Sequence, residues 1–366
     1  MKERVMSTED IAEIAGFIKK RAELVDLQLK DYLKTNASDR YISTIVGKSN
    51  YRYDSVAIDK ALLDPAWYLL NLGGKRLRPV LLLLVIEALG KNPDDFMEFS
   101  VIPEIIHNAT LVHDDIEDGS EMRRGALSVH KKYGLDVALN LGDFLFYLPM
   151  TAVFDSTKLK ARTKNAVFAI YVRDMLRLGI GQATELAWHN SMVDPAQITE
   201  DNYLQMAFDK TGALTGMATK IGAVLAGADK TTVNALGRFG ATIGVAFQLQ
   251  DDLLNLKDSK VSKNKGVVGE DIREGKITLA IIYTLKTASD EDRRALSDIL
   301  RQHTTDSERI NKAVEILDRY GADSYVDKVK ERLIREAWNE LDRKLPESGA
   351  KKKLRGMLDF LIERTV

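Results

Sequence analysis

Two short acidic strings carry the strongest chemical signal in the sequence. In LVHDDIEDGS, helical spacing puts Asp114 and Asp118 one turn apart on one face, with Asp115 beside them. Like charges that close repel one another and weaken a helix, so the grouping makes physical sense around a cation, the alternative being a solvated acidic helix end. So few hard oxygen ligands suit Mg2+, which keeps waters and completes its shell with phosphate oxygens of a substrate. In FQLQDDLLNLKDS, Gln248, Asp251, Asp252 and Asn255 share one helical stripe while Leu253 and Leu254 turn to the core. Aspartate pairs set in otherwise apolar helices are hard to explain as solvated surface. If the two helices face each other they form acidic walls of one cavity, where a polyphosphate is clamped only through bridging metal ions.

Cations stand at complementary places. The string GGKRLRP puts Gly73-Gly74 before Lys75, Arg76 and Arg78. The glycines let backbone approach an anion closely, and arginine gives bidentate phosphate contacts. The spacing is not that of a Walker A loop, so a nucleotide site is not indicated. Arg123-Arg124-Gly125 follows soon after Asp118, and Lys210-Thr211-Gly212 and Lys276 complete the set. Each alone is ordinary surface charge. Together with the aspartates they ask for two anionic groups, one held by metals and one by side chains directly.

Such residues need long, rigid elements to hold them, and the sequence reads as all-α. Apolar positions from Ile102 recur at Ile105, Ile106, Ala109, Val112 and Ile116, and again at Ile243, Phe247, Leu249, Leu253 and Leu254. Segments 165–188, 203–227, 276–287 and 307–343 repeat the pattern, and no set of alternating runs predicts a sheet. Proline is rare, 7 in 366 residues, so few helices are broken. Residues 1–60 read as an N-terminal helical extension, with a helix at 8–34 and a Ser/Asn/Tyr-rich stretch at 36–54; residues 61–366 form the main domain. Lys257–Gly269 has the composition of a mobile loop, and the tail with Lys351, Lys352 and Lys353 reads as a solvated helix closing the bundle.

Composition removes several classes of function. With 53 Lys+Arg against 54 Asp+Glu there is no basic excess to neutralise nucleic-acid phosphates, so no nucleic-acid partner is expected. The absence of cysteine excludes disulfides, thiolate metal sites and cysteine nucleophiles. The longest apolar run, Val80 to Ile86, is far short of the roughly 18 to 20 residues of a membrane span. An N-terminus with Glu3, Glu9, Asp10 and Glu13 matches neither a signal nor a transit peptide, so a cytoplasmic protein is expected.

In order and spacing, GGKRLRP, DDIED with MRRG, Gly181-Gln182, KTG and QLQDD with a later EGK resemble the trans-isoprenyl diphosphate synthases (polyprenyl synthetases) over about residues 60–290. Within that family they are most similar to the geranylgeranyl diphosphate synthases. The resemblance implies an isoprenoid-synthase-type helical bundle around a deep central cavity, assembled as a homodimer or higher homo-oligomer. It implies head-to-tail condensation of isopentenyl diphosphate with an allylic diphosphate by ionisation, condensation and elimination, with Mg2+ or Mn2+ as cofactor.

Residue by residue, it implies that Asp114, Asp115, Asp118, Asp251 and Asp252 are metal ligands. It puts Arg123, Lys210 and Lys276 on the allylic diphosphate, and Lys75, Arg76, His107 and Arg124 on the metal-free isopentenyl diphosphate site. Thr211 and Gln248 stand near the reacting carbons, and the departing diphosphate accepts the proton. Ala109, where short-chain members carry an aromatic floor, together with Thr110, Ile105 and Ile106, sets chain length. Asn255 replaces the third aspartate of many members, and Lys265-Gly266 reverses the usual lid order. Alternatives are a farnesyl or longer-chain synthase, a class I terpene cyclase, which needs no second anion site, or a non-catalytic synthase subunit, which is expected to lose aspartates that are present here.

Overall fold

A computed structural model of the chain describes residues 8–256 and 270–362, so the Lys257–Gly269 loop, with Lys265, lies outside the described residues. Among them the structure is helical apart from a two-residue hairpin, Met122–Arg123 paired antiparallel with Ala126–Leu127. The chain divides into two compact units, residues 1–169 with 221–229, and residues 170–220 with 230–366.

The first unit holds α1 (Thr8–Tyr32), α2 (Leu77–Ala88), α3 (Val101–Glu117) and α4 (Leu135–Tyr147). Its centre is α2, in which Val80, Leu81, Leu82, Leu83, Leu84, Val85 and Ile86 are all buried, so the apolar run is a core helix. The Ser/Asn/Tyr-rich stretch, expected to be irregular, contains a short helix, Asp39–Val46, whose N-cap Ser38 accepts from the Tyr41 N–H at 3.1 Å. The stretch Leu135–Phe154 is long and apolar enough by composition to pass for a membrane span, which an uninterrupted-run criterion misses. In the fold its Leu141, Gly142 and Leu145 are buried in α4, which packs on α3.

The second unit holds most of α5 (Ala161–His189), then α6 (Glu200–Ala207), a π-helical turn Phe208–Gly212, α7 (Ala213–Leu225, shared between the units) and α8 (Lys230–Leu256). The expected single helices over 203–227 and 307–343 are interrupted. The first is underwound at the KTG string, where the π-helical turn lies, and the second breaks at Gly321 (φ 65°) into Ser307–Arg319 and α9 (Ala322–Asp342). Lys351 is not part of a solvated basic tail. It is buried and caps the end of α9, donating to the Asp342 carbonyl at 2.8 Å and the Leu345 carbonyl at 3.2 Å.

Candidate active site

In the first unit the acidic string sits at the C-terminal end of α3, where the helix dipole disfavours negative charge by about 0.3–1 kcal/mol per group. Asp114 and Asp118 are half-buried and Asp115 is buried. Asp115 Oδ1 accepts from Arg123 Nε at 2.9 Å and also from Arg123 Nη2. Burial raises the Asp115 pKa, and Arg123 pulls against that rise. Asp115 Oδ2 is buried with no hydrogen-bond partner. An orphaned carboxylate oxygen beside Asp114 and Asp118 is the arrangement a hard divalent cation satisfies, so the residues fit the metal that the sequence implies. Among the described residues no group of three or more His, Asp or Glu side chains is placed to hold a metal ion. Arg123, expected on a diphosphate, is engaged with Asp115.

Arg123 and Arg124 are held by the hairpin. Its turn residues Arg124 (φ 53°) and Gly125 (φ 80°) both have positive φ, as a type I′ turn requires. Arg124 Nη1 donates to the Gly73 carbonyl. Gly74 (φ 142°) packs so closely that a Cβ there would lie 3.0 Å from Arg76 Nη1 and 3.2 Å from Arg124 Nη2. Lys75 is exposed on the same turn. His107 lies on α3 two turns before the acids; burial, then the charges of Arg78, Arg124, Arg123 and Arg76, hold its pKa well below the usual range, so the imidazole is neutral.

Arg76 departs from the expected substrate contact. It is buried, with Nε on Asp26 and Nη1 on Glu104, both at 2.8 Å, and Nη2 on the Leu70 carbonyl at 3.0 Å. Arg78, counted among the cations of GGKRLRP but given no substrate of its own, is first among the charges acting on His107. Its place in the first turn of α2 was the available signal, because that start leaves Arg76 outside the helix.

Of the chain-length residues, Ala109, Ile105 and Ile106 are fully buried, whereas Thr110 is partly exposed. Thr110 stands one turn before Asp114, on its face, and its hydroxyl donates to the His107 carbonyl at 2.8 Å.

In the second unit, close backbone packing places the chemistry. A Cβ on Gly181 would lie 2.3 Å from the Lys210 nitrogen, and one on Gly244 would lie 2.8 Å from the Thr211 carbonyl oxygen. Glycine at both positions lets α5 and α8 press against the KTG turn. Lys210 Nζ pairs with Glu185. Thr211 Oγ1 donates to Gln248 Oε1 at 2.9 Å, and Gln248 Nε2 donates to Asp252 Oδ1 at 2.8 Å. Tyr203, absent from the expected set, donates to Asp252 Oδ2 at 2.5 Å. Burial raises the Asp252 pKa to about 6 against the pull of the hydrogen bonds from Tyr203 and Gln248.

Both Asp252 oxygens thus accept hydrogen bonds within the protein, while Asp251 beside it is half-buried. Asn255 is buried and its Oδ1 accepts from the Asp271 N–H at 3.2 Å, an internal contact in place of a metal contact. Lys276 pairs with Glu274 at 2.7 Å, beside Gly275 (φ 71°).

A helical protein with paired aspartates, a metal-free cation set and a glycine-packed KTG turn is the description of one enzyme class. Residues 59–317 match polyprenyl synthetase, and the chain belongs to that family. It is an enzyme, a trans-prenyltransferase, and members of the family are metal-dependent. It is similar to the short chain isoprenyl diphosphate synthase of Methanothermobacter thermautotrophicus, 37% identical over 83% of this chain and 91% of that protein. It is also similar to the geranylgeranyl diphosphate synthase of Sulfolobus acidocaldarius, 31% identical over 89% of this chain and 98% of that one. A solved geranylgeranyl pyrophosphate synthetase from Pyrococcus horikoshii Ot3 superposes with a TM-score of 0.82 at 30% identity, covering 96% of this chain and 99% of its own.

Proposed function

We propose that the protein condenses isopentenyl diphosphate with allylic diphosphates and releases geranylgeranyl diphosphate, using Mg2+, for which Mn2+ can substitute. The observation that carries this reading is the orphaned Asp115 Oδ2 beside Asp114 and Asp118, in a unit that also holds Arg124 on the Gly73 carbonyl. The product assignment is supported by relatives of that name.

Asp114, Asp118 and the free oxygen of Asp115 in the first unit, and Asp251 in the second, would hold Mg2+, which would supply charge to stabilise the leaving diphosphate. Lys210 and Lys276 bind the allylic diphosphate, and Arg123 holds Asp115 in place and pulls against the rise in its pKa. Lys75, Arg78, Arg124 and neutral His107 bind isopentenyl diphosphate through charge and N–H donation. Thr211 and Gln248 present oxygen dipoles to the allylic cation. The isopentenyl double bond attacks that cation, and loss of a proton to the departed diphosphate leaves a product one isoprene unit longer. The small Ala109 lets the tail pass, and Thr110 with Ile105 and Ile106 deeper in the helix stop it.

The catalytic region is 61–366, with 1–60 as its extension, and the protein works in the cytoplasm as a homodimer or larger homo-oligomer. That assembly is supported by the exposed stripe Val172, Leu176 and Ile180 on α5, 52%, 64% and 61% accessible.

Mass spectrometry of products from purified protein, Mg2+, isopentenyl diphosphate and each allylic primer is the test. Geranylgeranyl diphosphate should dominate, and Thr110→Phe should shorten it to farnesyl diphosphate. A wild type that stops at farnesyl or runs past geranylgeranyl overturns the product assignment.

A further inference from the structure

The N-terminal helix lies outside residues 59–317, the part of the chain that matches the family, yet it reaches the metal-free cation set. Asp26, near the end of α1, accepts from Arg76 Nε at 2.8 Å. Arg76 is 5% exposed, and its guanidinium also serves Glu104, the Leu70 carbonyl and, at 3.2 Å, the Gly73 carbonyl. Its backbone is left-handed (φ 48°), a conformation a non-glycine residue keeps only where its surroundings over-determine it. The Gly73 carbonyl that Arg76 holds is the one Arg124 binds, and Gly74 touches both guanidinium groups. Glu104 ties the cluster to α3, accepting from Asn108 Nδ2 at 3.1 Å, one residue from His107.

Arg76 therefore cannot reach a substrate without abandoning these acceptors. With Asp26 and Glu104 both against it, its charge is neutralised where it stands. What it can do is fix the Gly73-Gly74 turn and, through that turn, the positions of Lys75 and Arg124. We infer that Asp26 of the N-terminal helix is a positioning residue for the isopentenyl diphosphate site, acting through Arg76. This rests on the reading of Lys75, His107 and Arg124 as that site.

Geometry and bare charge predict opposite signs. Removing a carboxylate near a diphosphate site should tighten binding if only long-range attraction counted. It should weaken binding if the carboxylate holds the turn in place.

The test is calorimetric titration of the full-length protein with isopentenyl diphosphate in excess EDTA, where only a metal-free site is read. Asp26→Ala should weaken binding roughly tenfold, and Asp26→Asn, which keeps an acceptor oxygen but not the charge, should recover much of the loss. Arg76→Lys keeps the charge but cannot serve its four acceptors together, and should lose at least as much. With metal restored, the KM for the allylic substrate should stay within about twofold in Asp26→Ala. Binding by Asp26→Ala as tight as wild type or tighter, or an Asn variant no better than Ala, overturns the inference. If instead Lys75→Ala and Arg124→Ala both bind like wild type, the site itself is misassigned.

Discussion

The two aspartate pairs look alike in sequence and differ in what holds them. Each lies near the C-terminal end of a long helix, with its first member half-buried and its second buried. In the first unit the buried member, Asp115, has a cation for a partner and one oxygen left over. In the second unit the buried member, Asp252, is held by two neutral donors, Tyr203 and Gln248, and both oxygens are taken. Burial raises the pKa of both carboxylates, but the Arg123 charge pulls against that rise at Asp115 and leaves Oδ2 without a hydrogen bond. Neutral partners fix a carboxylate in place while burial raises its pKa. The same dipeptide thus leaves an oxygen unbonded in one setting and has both oxygens hydrogen-bonded in the other.

The largest effect expected is on the first pair. Asp114→Ala should lower turnover by roughly three orders of magnitude or more, with melting unchanged, because it removes a half-exposed ligand. Asp115→Ala should lose similar activity and also stability, about 1–3 kcal/mol, because Arg123 is left unpartnered with 28% of its side chain exposed. Steady-state kinetics with thermal melts separates the two, and equal melting behaviour in both variants would dissolve the contrast within the pair.

Next comes Tyr203→Phe, which deletes one hydroxyl and leaves Asp252 Oδ2 buried without a donor. Turnover should fall about tenfold and stability by about 1–3 kcal/mol, with the KM for isopentenyl diphosphate unchanged. A variant with wild-type turnover would show that Asp252 needs no anchor.

The smallest effect is a pH dependence in the metal-free protein. Asp252 has a folded pKa of about 6, above the unfolded value of 3.8. Its contribution to stability is therefore fully present below pH 3.8 and is lost as pH rises through about 6. Asp252→Asn has no such term, so relative to wild type it should gain on the order of 2 kcal/mol between pH ~4 and pH ~7. Chemical denaturation at both pH values checks it, and a constant difference between the two proteins would count against neutral anchoring.

Much of this was legible before any coordinates. Helical periodicity gave the all-α architecture, and the order of the acidic and basic strings gave the class of chemistry. What could not be read was direction. In GGKRLRP three cations stand within four positions, and only the left-handed backbone at Arg76 decides that it turns inward while Arg78 begins a helix. The acidic strings did not reveal which aspartate of each pair is buried, because that depends on Arg123 and Tyr203, distant in sequence from at least one partner. Asp26 gave no signal at all. It lies in a polar helix whose composition suggests a solvated extension, and its partner lies 50 residues away. Lys351 was hidden in a basic run for the same reason, since a buried lysine and a solvated one are spelled alike.

The chain of hydrogen bonds from Tyr203 to Thr211 runs in one direction only. A phenol can only donate to a carboxylate, and an ionised Asp252 can only accept, so it must face the amide nitrogen of Gln248. The Gln248 oxygen is then left to accept the hydroxyl proton of Thr211. Thr211 has committed the one proton it owns and retains lone pairs alone. Toward any group placed beside it, the hydroxyl is an electron-rich surface and never a proton source. A tyrosine that touches nothing reactive thereby settles the polarity of a hydroxyl several ångströms away.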